Sequence, residues 1–157
     1  RQMVSGHGFA LMQIDLDFFK AVNDSLGHAA GDHVLQTVSQ IMIEEIRETD
    51  TVARLGGDEF AILFPGVSDA AVLTSIGQLI ISELEMSIHF QDKVCQVSAS
   101  IGTVFNSMDS SSTAKQLFEN ADIALYASKR MGRAQQTFFT EHLKALAWAD
   151  VGTAVQQ

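Results

Sequence analysis

One cysteine, Cys95, occurs in 157 residues. A lone thiol cannot form a disulfide framework, so a reducing cytoplasm is the expected compartment. Positive charge is also scarce: 10 Lys and Arg stand against 19 Asp and Glu, a formal net charge of -9. A polynucleotide partner calls for a basic face. No nucleic acid is therefore expected, and any bound nucleotide should be small and escorted by metal. No apolar run approaches the roughly 20 residues of a membrane helix. The opening "RQMVSGHGF" lacks the basic-then-apolar layout of a secretion signal. Repeats are absent, and only the serine run at 110–112 is of low complexity. What is present is a 46% hydrophobic chain of a length that suits one domain with a real core.

Apolar periodicity lays out the elements. "FALMQID" (9–15) predicts a buried strand ending on a carboxylate, and "DFFKAVND" a short helical turn. The stripe Val34, Leu35, Val38, Ile41, Met42 and Ile46 predicts a helix opened by Gly31–Asp32 and ending near "RETD" (47–50). Strands at 51–55 and 60–64 flank Gly56–Gly57 as a hairpin, and Pro65–Gly66 stops the second. Ser68 or Asp69 caps a helix to about Met86. "SIHF" and "VCQVSASIGTVF" flank "QDK" as another hairpin. The serine run 110–112 is a loop and N-cap for a helix from about Thr113 to Met131 that Gly132 ends, "QTFF" is a last short strand, and Thr140 caps a terminal helix. Residues 1–139 form the expected domain, with 140–157 as a C-terminal helix or linker. The order β-α-β-β-α-β-α-β predicts an α+β fold: a mainly antiparallel sheet flanked by helices, the ferredoxin-like plan with an added hairpin. Such a plan can set Asp15 beside Asp58.

Asp15, Asp58 and Glu59 supply the oxygens that a hard cation such as Mg²⁺ takes. Gly56 and Gly57 leave room for a phosphate to approach the backbone. Taken singly, these residues read equally as a strand-terminal aspartate and a solvated hairpin tip. Lys20 is a point charge suited to phosphate, and the start of the short helix offers amides to an anion. Asn23 and Asp32 can meet a base. A carboxylate accepts from both guanine donors, whereas the acceptor at N1 of adenine repels it. Asp32 reads equally as a helix N-cap, and spacing does not separate the two roles. His28, between Gly27 and Ala29, reads as a loop residue. Lys129 and Arg133 read as a basic last helical turn.

The blocks "DLDFFKAVNDSLGHAAGDHVL", "ARLGGDEFAILFP", "VSASIGTV" and "ADIALYASKRMGR" run in this order between residues 9 and about 139. Together they resemble the successive signature blocks of the GGDEF family, the diguanylate cyclases. The resemblance implies a palm-type, nucleotide-cyclase-like fold that condenses two GTP into cyclic di-GMP and releases two pyrophosphates. It implies that Asp15, the Leu16 carbonyl and Asp58 hold two Mg²⁺ or Mn²⁺ ions in each half-site. Asp58 would be the base for the attacking 3′-hydroxyl, with Glu59 its neighbour. Asn23 and Asp32 would read guanine, with His28 in the same pocket. Phe18 and Phe19 would offer backbone amides to the phosphates, and Lys20, Lys129 and Arg133 their charges. Each domain would present one GTP, so a homodimer is required and monomers should be inactive.

"RETD" has the Arg-x-x-Asp spacing of the family's inhibitory product site, which would assign Arg47 and Asp50 to cyclic di-GMP. Its other reading is an ordinary helix end. No arginine between Arg54 and Arg130 supplies the second arm that often completes this clamp. Family members usually begin with a segment like Asp-x-Leu-Thr-Gly-Leu-x-Asn-Arg and a helix, and Ala134 replaces an asparagine that often follows Gly-Arg. The expectation is a piece of a longer protein fused to other domains, cytoplasmic or the cytoplasmic part of a membrane-bound one. The rival reading is a domain that binds GTP or cyclic di-GMP without turnover. The intact "GGDEF", Asp15, Lys20 and Asn23 oppose it.

Overall fold

A computed structural model describes residues 8–67, 69–86, 88–106 and 112–147. The elements in chain order are β1 (Phe9–Asp17), α1 (Phe19–Leu26), α2 (His28–Glu44), β2 (Thr51–Gly56), β3 (Glu59–Pro65) and α3 (Ala70–Glu85). Then come β4 (Ile88–Phe90), β5 (Lys93–Cys95), β6 (Ser98–Asn106), α4 (Ala114–Arg130) and β7 (Gln136–Phe138). A last helical stretch, α5, covers 141–147. Ala10 to Ile14 are all buried, as only a central strand allows. Accordingly β1 lies in the middle of a five-stranded sheet of order β2-β3-β1-β6-β7. Every pairing is antiparallel except β6 with β7, which α4 joins as a crossover. The α+β architecture is the one expected.

Side chains alternate along a strand, so β1 has two distinct faces. Ala10, Met12, Ile14 and Leu16 enter the main core with Val22, Val34, Val38, Met42, Leu73 and Ile80 of α1, α2 and α3. Leu11 points the other way, into a smaller cluster with Ala61, Val104 and, from α4, Leu117 and Ala121. Gln13, Asp15 and Asp17 share that second face by period. The sheet is therefore a floor whose α4 side turns from apolar to acidic along one strand. α4 is seated closely: a Cβ on Gly102 of β6 would lie 2.3 Å from the Ala121 carbonyl oxygen and the Leu125 nitrogen.

Three expectations are corrected. α2 starts at His28, so Asp32 sits inside the helix and is not its cap; Gly27, at φ 95°, makes the break from α1. The run 94–105 is not one strand. The register of β1 with β6 ends at Asp17–Ser98, beyond which β1 offers no backbone, so Lys93–Cys95 pairs with β4 as a separate ribbon. β2 also reaches Gly56, with a register shift between Arg54 and Gly56 that tightens the hairpin. Elsewhere the local signals match the structure. Asp69 caps α3 by accepting from the Ala71 amide at 2.9 Å, while the alternative cap, Ser68, lies outside the described residues. Thr140 accepts from the Leu143 amide at 3.1 Å, whereas the cap of α4 is not the serine run expected but Thr113, in a capping box with Gln116. Ser110 and Ser111 lie outside the described residues. Among those described, no helix is long and apolar enough to cross a membrane.

Candidate active site at the end of the central strand

The β1–β3 register places Asp15 opposite Glu59, and the Leu16 amide donates to the Asp58 carbonyl at 3.1 Å. Two carboxylates distant in sequence therefore meet at one sheet end. Asp58 is partly buried, and its carboxyl is pushed above the ordinary range chiefly by that burial and next by the charge of Asp15. Its own backbone amide pulls in the opposite direction. Gly56 and Gly57, at φ 143° and 51°, occupy backbone that side chains disfavour, and nothing lies within 4 Å of a Cβ built on either. The turn is thus open exactly where the carboxylates end, with Glu59 exposed beside it.

The described residues contain no cluster of three or more His, Cys, Asp or Glu fit to cage a metal. Two crowded carboxylates and the Leu16 backbone nonetheless fit Mg²⁺, which takes one or two protein carboxylates and completes its shell with water and phosphate. The present counter-charge is Lys129, whose ammonium donates to the Asp15 carboxylate. Its pairing belongs to a seam between β1 and α4. Gln13 donates to Asp122, Lys129 pairs with Asp15, and the Arg133 Nε lies 3.8 Å from Asp17 Oδ1. The α4 partners are spaced by seven and four residues, which keeps Asp122 and Lys129 on one helix face with Arg133 just past its end. Burial raises the Asp122 carboxyl, and the Gln13 hydrogen bond and Lys129 charge lower it.

Phe18 has a left-handed φ of 69° and caps α1 without any side-chain hydrogen bond, which leaves the first amides of α1 uncapped. Lys20 is spent on an exposed pair with Asp24 at 2.9 Å, a contact weak enough to exchange for phosphate. At the α1–α2 junction, Asn23 Oδ1 lies 1.8 Å from where a Cβ on Gly31 would be. Only glycine at 31 lets that carboxamide rest on α2, directly before the exposed Asp32. His28 is exposed at the start of α2. Two groups therefore form: Asp15, Leu16, Asp58, Glu59 and Lys129 at the strand end, and Asn23, His28 and Asp32 at the helix junction. α1 connects them.

Arg47 and Asp50 stand apart, at the far end of α2. Arg47 donates its amide to Asp50 at 2.8 Å and its Nη2 to Asp50 at 2.6 Å and to the Pro65 carbonyl at 2.7 Å. α2 ends at Glu44 with no basic residue in its last turn, so Arg47 does not complement the helix dipole as the helix-end reading expected; the motif is a separate turn that Arg47 closes on Asp50. The pair also borders a cavity of about 390 Å³ that Arg54 helps to line. A second arginine thus reaches the same cavity from the strand leading into the glycine turn.

Residues 1–135 match the family model described as diguanylate cyclase, GGDEF domain. The chain belongs to the GGDEF family. Diguanylate cyclase A of Treponema denticola is 40% identical over 134 residues, which are 85% of this chain and 36% of that relative. The chain thus spans about a third of that protein's length. Among solved structures, the GGDEF-only form of TpbB from Pseudomonas aeruginosa is 34% identical with a TM-score of 0.84, covering 90% of this chain and 83% of that one. The GGDEF domain of DgcB from Caulobacter crescentus, solved in complex with c-di-GMP, is 30% identical with a TM-score of 0.78. That match covers 86% of this chain and 80% of the DgcB chain. In this GGDEF domain, sequence reasoning missed Gln13, Asp17 and Asp122. The signal was available for the first two: polar residues at 13, 15 and 17 share one strand face by period two.

Proposed function

We propose that this GGDEF domain is a diguanylate cyclase, condensing two GTP into cyclic di-GMP with release of two pyrophosphates. The observation that carries this is the meeting of Asp15 and Asp58 beside the open Gly56–Gly57 turn. Asp15, Asp58 and the Leu16 carbonyl would hold Mg²⁺ or Mn²⁺. Bound there, the metal supplies neutralisation of the triphosphate and polarisation of the α-phosphate. Asp58, at the open turn beside Asp15, takes the proton of the 3′-hydroxyl. The 3′-oxygen of one GTP then bonds the α-phosphorus of the other, and the α–β bridging bond breaks to release pyrophosphate. Lys129, Arg133, Lys20 and the amides at Phe18 and Phe19 would meet the charge of the phosphates. Asn23 and Asp32 accept and orient guanine, with His28 alongside.

Each domain offers one hydroxyl and one α-phosphate, so a homodimer aligns the two reactions by proximity. Arg47, Asp50 and Arg54 form the surface on which the cyclic product would bind and inhibit. GTP as substrate places the domain in the cytoplasm, and the length of the Treponema relative favours fusion to other domains. Incubating dimeric protein with GTP and Mg²⁺, followed by chromatography, should yield cyclic di-GMP. The Asp58→Ala variant should yield none. Product from that variant would sink the assignment.

A further inference from the structure

We infer that Asp17 is a positioning residue that holds Arg133 for the triphosphate and stands outside the metal site. This rests on the phosphate role of Arg133 proposed above. By chemistry alone Asp15 and Asp17 are equivalent, two carboxylates on one strand face with one residue between them. Their surroundings separate them. The Asp17 side chain is 1% exposed, against 13% for Asp15. Both of its oxygens are already engaged: Oδ1 accepts from the Ser100 hydroxyl at 2.8 Å and faces Arg133 Nε at 3.8 Å, and Oδ2 accepts from the Ala134 amide at 3.0 Å. A cation would have to displace three partners to use it.

What those partners share is the turn after α4. Arg133 and Ala134 have φ of 65° and 52°, two successive non-glycine residues in left-handed backbone. L-residues avoid that region, so such a turn persists only where the surroundings hold it. The Asp17 bond to the Ala134 amide holds one side, and the Arg133 amide bond to the Ser128 carbonyl at 2.9 Å holds the other. Arg133 Nε then faces the Asp17 carboxylate at 3.8 Å, an ion-pair contact longer than a hydrogen bond, while half of its side chain stays open to solvent. Asp17 also directly precedes Phe18, the left-handed residue that opens α1. One buried carboxylate therefore sets the spacing between the Phe18–Phe19 amides and the Arg133 guanidinium, the two sides of the triphosphate.

The test is calorimetric titration of a non-hydrolysable GTP analogue with Mg²⁺ into wild type, Asp17→Asn, Arg133→Gln and the double variant. Each single variant should lose roughly tenfold in affinity, and the double should lose no more, because both changes remove one arginine's contribution. Independent effects would multiply to about a hundredfold in the double and overturn the inference. So would an Asp17→Asn domain that binds like wild type while Arg133→Gln does not. If Arg133→Gln itself binds like wild type, the phosphate role of Arg133 is wrong, and the inference falls with it. A second measurement needs no variant: carboxyl-carbon NMR of the wild-type domain titrated with Mg²⁺ alone. The Asp15 and Asp58 signals should shift and that of Asp17 should stay. An Asp17 signal moving with Asp15 would make it a metal ligand and refute the claim.

Discussion

Replacing Gly102 by alanine drives a methyl carbon into the backbone of α4. The new Cβ would sit 2.3 Å from the Ala121 carbonyl oxygen and the Leu125 nitrogen, and 2.8 Å from the Leu125 Cα. Ordinary contact begins near 3.5 Å, so the helix must retreat by about 1.2 Å from the 2.3 Å available. No rotamer change relieves this, because the obstructing atoms are main chain. Gly102 is not among the positive-φ glycines, so alanine suits its backbone and the penalty is purely steric. Overpacking of this kind costs about 1–3 kcal/mol, and a backbone clash belongs at the upper end. At about 2–4 °C per kcal/mol for a domain of this size, Tm should fall by roughly 10 °C. Because α4 carries Lys129 and leads into Arg133, affinity for GTP should fall with it. Thermal unfolding followed by circular dichroism gives the first number and calorimetry the second. A Tm within about 2 °C of wild type would refute the close seating of α4 on the sheet.

Gly31→Ala meets an even closer neighbour, Asn23 Oδ1 at 1.8 Å, but that atom ends a side chain able to swing away. Stability should drop by only about 1 kcal/mol or less while KM for GTP rises several-fold; an unchanged KM would remove Asn23 from base recognition. Asp58→Asn should raise the Tm of the metal-free domain at pH 7 and abolish turnover. The folded carboxyl lies above its ordinary 3.8, so its stabilising contribution is present below that range and is lost as pH rises through the raised value. The gain from asparagine should accordingly shrink in acid, and a lower Tm at neutral pH would contradict the crowding of Asp15 and Asp58. Arg47→Ala leaves the buried Asp50 carboxylate with only a backbone donor from residue 47. Because Arg47 is half exposed, the expected loss is about 2 kcal/mol, below the roughly 3–5 kcal/mol of a fully buried pair. A urea midpoint equal to wild type would show the pair to be inert.

Signals confined to a few neighbouring residues were legible in the chain. The Asp69 cap, the Thr140 cap and the Gly56–Gly57 turn each follow from contacts within four residues. The nearly continuous apolar run of 9–15 marked a buried strand, and the four signature blocks pointed to the family. Features that depend on a distant partner were not legible. Whether 93–97 continues into β6 depends on where β1 runs out, and whether Asp32 caps or continues α2 depends on how Gly27 lets α1 fold back against it. Arg54 reaches the Arg47 cavity only because β2 passes the end of α2. The seam pairs Gln13 with Asp122, Asp15 with Lys129 and Asp17 with Arg133 across more than a hundred residues. Helix and strand preferences act over one or two turns, so the sequence determined which face of β1 is polar. Which of its carboxylates stays open to a cation, and which is closed by Ser100, Arg133 and Ala134, was decided by where α4 comes to rest on the sheet.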